Sequence, residues 1–127
     1  MITKPIPYGR QHITDEDIQC VIDALKSDYL TQGPKIKEFE EAFASYVGCK
    51  YAIAVNNATA GLHLAATALD VNLGDKVIVT PLTFAASANC IRFRGGEVVF
   101  CDVEEDTYLM DIKKLSRLLS QSPKGTY

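Results

Sequence analysis

From residue 51 onward the chain alternates short β-branched runs with helical patterns, and this alternation restricts its possible folds more than any other feature. Tyr51–Val55 reads as a short apolar strand, 58–69 as an Ala-rich helix, and Lys76–Thr80 as a second strand entered through the Gly74-Asp75 turn. A helix over 83–93, a third strand over Glu97–Val103 and a helix over Asp111–Leu119 complete the series; the last carries Ile112, Leu115, Leu118 and Leu119 on one face. Strands that alternate with helices pair in parallel, because each connection must cross over, and the helices then cover the sheet. The expected architecture is therefore α/β, a three-layer α/β/α arrangement with a mainly parallel sheet.

The preceding residues are organised differently. Pro5, Pro7 and Gly9 argue for an extended arm over 1–13. Thr14 stands three residues before Asp17 in a capping-box arrangement, and Ile18, Val21, Ile22 and Leu25 recur at helical spacing, which predicts a helix over 15–27. Ser27 to Pro34 is a connector, and a second helix is predicted over 35–47 with Ile36, Phe39, Phe43 and Val47 as its stripe and Gly48 at its C-terminal end. Both helices are amphipathic, so both need a surface to lie on. Gln121 to Tyr127 reads as a loop leading to another strand.

Charge and composition narrow the partners. With 13 Lys and Arg against 16 Asp and Glu the net charge is −3, which offers no basic surface for nucleic acid or an anionic membrane. No stretch approaches the roughly 18 apolar residues of a membrane span, and Met1 to Pro7 lacks the apolar run of a leader, so a cytoplasmic location is expected. Cys20, Cys49, Cys90 and Cys101 form no CxxC pair and sit among apolar neighbours, so they read as reduced packing thiols. The run Asp102, Glu104, Glu105, Asp106 reads as a solvated turn rather than a metal site, and His63 as structural.

Two segments could carry chemistry. Val55-Asn56-Asn57-Ala58-Thr59-Ala60-Gly61 lies where a strand ends and a helix begins, so free amides and the positive end of the helix dipole would favour a phosphate. Ala58, Ala60 and Gly61 are small enough to let an anion reach the backbone, and Thr59 adds a hydroxyl. The simpler alternative is that Asn57 or Thr59 only caps the helix. Thr80-Pro81-Leu82-Thr83-Phe84 also follows a strand, on the edge where open α/β sheets bind ligands, and Phe84 could cover a planar ring or simply pack in a core.

With these segments in place, the chain resembles the DegT/DnrJ/EryC1/StrS aminotransferases, of the aspartate-aminotransferase fold type I. The matching stretches are Ser27 to Pro34 leading into Phe39-Glu40, Asn57 to His63, Gly74 to Phe84, Gly95-Gly96, and Phe100 to Val103, in order over nearly the whole chain. Pro7-Tyr8-Gly9-Arg10-Gln11 and Thr83 to Cys90 are most similar to the C4-aminotransferases of pseudaminic acid biosynthesis. The resemblance implies that residues 1–127 are the N-terminal portion of a large domain, 1–50 being arm and two helices and 51–120 the alternating units. It implies pyridoxal 5′-phosphate as cofactor, with Ala58, Thr59 and Ala60 at its phosphate and Phe84 stacked on its ring. It also implies a substrate side near Tyr8, Arg10, Thr31 and Gly33, glutamate as amino donor, a nucleotide-linked 4-keto-6-deoxy sugar as acceptor, and a homodimer.

The same resemblance implies what is missing. Such enzymes use a lysine that attaches the cofactor and moves protons, and an acid that keeps the pyridine nitrogen protonated. Both lie downstream of the matched region, so no catalytic residue is assigned and the 127 residues alone are expected to be inactive. In this fold type, strands from later in the chain separate the first strand from the next two, so either the three strands close the gap by pairing differently or the chain is a piece of a larger object whose remainder is absent or separate. Two other readings stay open: dehydration on the same scaffold, and a phosphate-binding or interaction module without catalysis.

Overall fold

The computed structural model describes residues 7–127; residues 1–6, with Pro5 of the expected arm, lie outside the described residues. The backbone divides into two units, Met1–Ala54 and Val55–Tyr127.

The first unit contains helices α1 (Asp15–Lys26) and α2 (Pro34–Val47). At α1 the Thr14 hydroxyl accepts the Asp17 amide at 3.3 Å and the Asp17 carboxylate accepts the Thr14 amide at 2.8 Å, closing the capping box. Asp15, Glu16 and Asp17 in the first turn and Lys26 in the last complement the helix dipole. Helix α2 opens with Pro34, whose missing N–H costs nothing there, and closes at Gly48 in the left-handed region at φ 71°. Ala44 is the one buried residue of the two helices among the described residues. Ile18, Val21, Leu25, Ile36, Phe39, Phe43 and Val47 are all exposed, so both stripes meet solvent.

The expected strand at Tyr51–Val55 is a correction. The segment is not a strand, and no ladder partner meets it among the described residues. Tyr51, Ile53 and Val55 are exposed while Ala52 and Ala54 are half-buried, so the two-residue alternation is present without a neighbouring strand. The Ala54 amide is satisfied instead by the Glu40 carboxylate at 2.7 Å.

The second unit contains α3 (Ala58–Ala68), β1 (Lys76–Val79), α4 (Ala86–Arg92), β2 (Glu97–Phe100) and α5 (Ile112–Ser120). Strands β1 and β2 pair in parallel with Val77 opposite Val98 and Ile78 opposite Val99, as a crossover through α4 requires. Helix α4 packs on both strands and α3 packs on α4. The core between them is Ala66, Val71, Cys90 and Ile91, with Val77 and Val98 packed against it. Gly96 permits that closeness: a Cβ there would lie 2.8 Å from Ile91 Cγ2 and 3.1 Å from Val71 Cγ1. Cys90 and Cys101 are buried as expected of packing thiols, but Cys20 and Cys49 are exposed, because nothing covers α1 or the turn after α2 in the first unit.

Beyond β2, Val103 bridges Met110 in the antiparallel sense, and the intervening acidic run forms a turn. Within it the Glu104 amide donates to the Leu109 carbonyl, and Thr107 Oγ1 donates to the Glu104 carboxylate at 2.9 Å. The His63 ring lies 5.6 Å from that of Phe93, centre to centre and tilted by 56°, a contact between α3 and the end of α4.

Candidate functional site

The start of α3 is built by Asn57. Its backbone is extended, and its Oδ1 accepts the Ala60 amide at 2.9 Å while its carbonyl accepts the Gly61 amide at 3.2 Å. Asn57 is therefore a cap, and the cap leaves something over. Among the described residues no hydrogen bond engages the Ala58 and Thr59 amides or the Thr59 hydroxyl. Two outward amides, a hydroxyl and the positive end of an 11-residue helix can together receive a phosphate. The Ala60 amide is already taken by Asn57, so Ala60 contributes a small side chain rather than a donor.

The second segment follows β1. Phe84 is 77% exposed, so it is no core residue, and its ring is free to cover a flat ligand. The helix expected over 83–93 begins only at Ala86, because Pro81 to Ala85 are needed for the turn out of the sheet. Thr83 Oγ1 and Ser87 Oγ are 3.0 Å apart across this turn.

Contacts within the second unit fix which end these segments occupy. The Asp75 carbonyl accepts the Glu97 amide at 2.8 Å, joining the starts of β1 and β2. Arg94, just past α4, donates from Nε to the Val71 carbonyl at 3.0 Å and from its terminal nitrogen to Asn72 Oδ1 at 3.1 Å, joining the end of α4 to the loop after α3. Strand starts and helix ends thus cluster together. Each element runs away from that cluster, so the start of α3, the end of β1 and the start of α4 point to the opposite, carboxyl edge. This edge is where open parallel sheets bind ligands.

At the same edge a cleft of about 410 Å³ opens between Pro81 and Leu82 on one side and Asp102, Val103, Glu105, Tyr108 and Lys114 on the other. Lys114 Nζ lies 2.7 Å from the Asp102 carboxylate and 3.9 Å from that of Asp111. The Lys114 ammonium and the Val103 amide hold Asp102 below the usual carboxylate range, and Asp102 in turn raises Lys114. No group of three or more His, Cys, Asp or Glu able to hold a metal occurs among the described residues.

The substrate-side residues belong to the first unit. Tyr8 is fully exposed, and Arg10 lines a cleft with Gln11, His12 and Ile13. Thr31 is exposed on the connector, followed by Gln32 in the left-handed region at φ 53°. Gly33 is required by close approach, since a Cβ there would meet Tyr29 Cβ at 2.9 Å and the Tyr29 carbonyl oxygen at 3.1 Å. Among the described residues no helix is long and apolar enough to cross a membrane.

Comparison with known proteins places the chain among aminotransferases. The spore coat polysaccharide biosynthesis protein SpsC of Bacillus subtilis is 43% identical over 94% of this chain. The UDP-4-amino-4,6-dideoxy-N-acetyl-beta-L-altrosamine transaminase of Campylobacter jejuni is 44% identical over 92% of it. The chain spans 31% of the length of each of these relatives. Among solved structures, a putative sugar aminotransferase from Streptococcus pneumoniae in its PLP form superposes with a TM-score of 0.83 at 38% identity, covering 88% of this chain and 29% of that one. The aminotransferase from Psychrobacter cryohalolentis gives 0.78 at 36% identity, covering 87% and 29%. Residues 11–125 match the model of the DegT/DnrJ/EryC1/StrS aminotransferase family, and the chain belongs to that family.

Proposed function

We propose that the protein of which these residues are part is a pyridoxal-phosphate-dependent aminotransferase. It moves an amino group from glutamate to a nucleotide-linked 4-keto-6-deoxy sugar for the synthesis of surface polysaccharide or glycan, and it works in the cytoplasm as a homodimer. The observation that carries this reading is the pairing, on one sheet edge, of unengaged Ala58 and Thr59 amides with the exposed ring of Phe84. A group that is a phosphate at one end and a flat ring at the other fits those residues.

In this reading the Ala58 and Thr59 amides and the Thr59 hydroxyl hold the phosphate, Ala60 keeps the approach open, and Phe84 lies against the ring. When bound, pyridoxal phosphate supplies the electron sink that lets an amino group leave one carbon skeleton for another. The described residues orient it and exclude water from one face. Tyr8, Thr31 and Gly33 stand on the sugar-nucleotide side. None of the 127 residues is assigned a catalytic role, so the lysine and acid the chemistry needs come from the remainder of the protein.

The test uses the full-length protein. Titration with pyridoxal phosphate should give a saturable change in its absorbance, and glutamate with a nucleotide-linked 4-keto sugar should give an amino sugar. Thr59→Ala should weaken cofactor binding by roughly tenfold, the value of a charge-assisted hydrogen bond. A full-length protein that binds no pyridoxal phosphate would sink the proposal.

A further inference from the structure

We infer that Ser87 is a positioning residue for Phe84, acting with Thr83 to hold the aromatic ring at the angle in which it covers a planar ligand. The inference rests on the functional reading above. Because Phe84 is 77% exposed, packing cannot set the direction of its ring. That direction comes from the backbone that carries it, and this backbone leaves the sheet without regular structure from Pro81 to Ala85.

Ser87 ties that turn down from the helix side. Its amide donates to the Phe84 carbonyl at 3.0 Å, and its hydroxyl lies 3.0 Å from that of Thr83. The two bonds reach Phe84 itself and the residue before it, so they bracket the Cα that aims the ring. Ser87 is itself fixed: its carbonyl accepts the Cys90 thiol at 3.3 Å, and the buried side chains of Ala86 and Cys90 on either side seat α4 against the strands. Ala85, at the N-cap, has no side chain able to accept from these amides, and among the described residues no other side-chain hydrogen bond holds the turn. A purely structural role for Ser87 predicts a loss of stability and nothing more. A positioning role predicts a loss of affinity that depends on the Phe84 ring.

The experiment measures the Kd of the full-length protein for pyridoxal phosphate, with the thermal midpoint of the ligand-free protein as control. Ser87→Ala and Thr83→Val should each weaken binding by roughly three- to tenfold, the net worth of one hydrogen bond, and together by little more than either alone. Ser87→Thr keeps the hydroxyl and should stay within about twofold of the parent. In a Phe84→Leu background, Ser87→Ala should have no further effect on Kd. Should Ser87→Ala fail to fold, Thr83→Val reads the same bond from its exposed end. Unchanged affinity in Ser87→Ala, or an equal loss with and without the Phe84 ring, overturns this inference while leaving the functional reading intact. A parent protein that binds no pyridoxal phosphate overturns both.

Discussion

Replacing Gly96 with alanine tests the packing on which the second unit depends. Two effects oppose each other. Alanine restricts the unfolded chain, which favours the folded state by about 0.4–1 kcal/mol where the native backbone accepts it. Against this, the new methyl would sit 2.8 Å from Ile91 Cγ2, 3.1 Å from Val71 Cγ1 and 3.4 Å from the Ile91 carbonyl oxygen. Neither neighbour can withdraw easily, because Ile91 and Val71 are buried in the same cluster and the Gly96 amide already donates to the Ile91 carbonyl at 3.1 Å. Overpacking of this kind costs about 1–3 kcal/mol. Taking the middle of each range the clash wins, and Gly96→Ala should destabilise by about 1.3 kcal/mol after the entropic gain is subtracted. Urea unfolding followed by circular dichroism should show a lower midpoint at unchanged slope. Ile91→Leu moves the offending methyl off Cβ, so the double variant should be more stable than the sum of the two single effects. A Gly96→Ala variant as stable as the parent would refute the reasoning.

Three further outcomes are expected. The isolated 127-residue chain should bind pyridoxal phosphate no better than roughly millimolar, about 4 kcal/mol, with Thr59→Ala weaker still; stoichiometric borohydride labelling of one lysine would show that the chain carries its own attachment site. The Thr14 amide and then its hydroxyl hold Asp17 below the usual carboxylate range, so the capping box contributes fully above that range and is lost as pH falls through the lowered folded value. Helical signal from α1 should therefore decline below about pH 4 and lose that dependence in Asp17→Asn, as read by NMR chemical shifts on acid titration. Finally, the exposed stripes of α1 and α2, including the Phe39 and Phe43 rings 5.9 Å apart, should make the isolated chain self-associate at micromolar concentration. Light scattering showing a clean monomer would contradict this, and Phe39→Ser with Phe43→Ser should reduce association.

Elements that depend on local chemistry were legible in the residues. Thr14 with Asp17 announces the start of α1, Gly33-Pro34 and Gly48 bracket α2, and Gly74-Asp75 precedes β1; the structure places all of them within a residue or two. Elements that depend on a second body were not. Tyr51–Val55 has the alternation of a strand, but a strand also needs a neighbour, and no local pattern reports whether one is present. Helix α4 begins three residues later than its apolar pattern suggests, for a related reason: Ala85 offers no capping side chain, so only the turn geometry decides where the helix begins. At the candidate site, Asn57 was visible as a cap. That its cap occupies the Ala60 amide and spares those of Ala58 and Thr59 is a matter of distance, as is the Thr83 to Ser87 bond.

The distribution of restraint within the second unit explains how so small a core can support a binding edge. Several long-range ties gather where the strands begin: the Arg94 guanidinium on Val71 and Asn72, the Asp75 to Glu97 ladder bond, and the Gly96 contact with Val71, with the local bond of the Asn72 amide to the Asp75 carboxylate at 2.7 Å beside them. These bonds stitch two loops and a helix end into one block, and the buried cluster of Ala66, Val71, Cys90 and Ile91 belongs to the same block. The carboxyl edge is held differently. There, apart from the Cys101 amide on the Val79 carbonyl at 3.0 Å and Lys114 on Asp102 at 2.7 Å, the restraints on the ligand-facing turns are short in sequence: Asn57 on Ala60, Ser87 on Phe84 and Thr83, Asp111 on Lys113 and Lys114. Local bonds of this kind shape a turn without covering it, so they leave amides and one aromatic face turned outward. Global stability and ligand capture thus draw on different residues, as expected where loops on a rigid scaffold carry function. It follows that Arg94→Ala, which removes a tie at the strand starts, should lower the unfolding midpoint of the full-length protein and leave its Kd for pyridoxal phosphate within about twofold, whereas Thr59→Ala should do the reverse. If Arg94→Ala instead weakened cofactor binding at a temperature where the protein remained folded, the two ends would be coupled and this separation would fail.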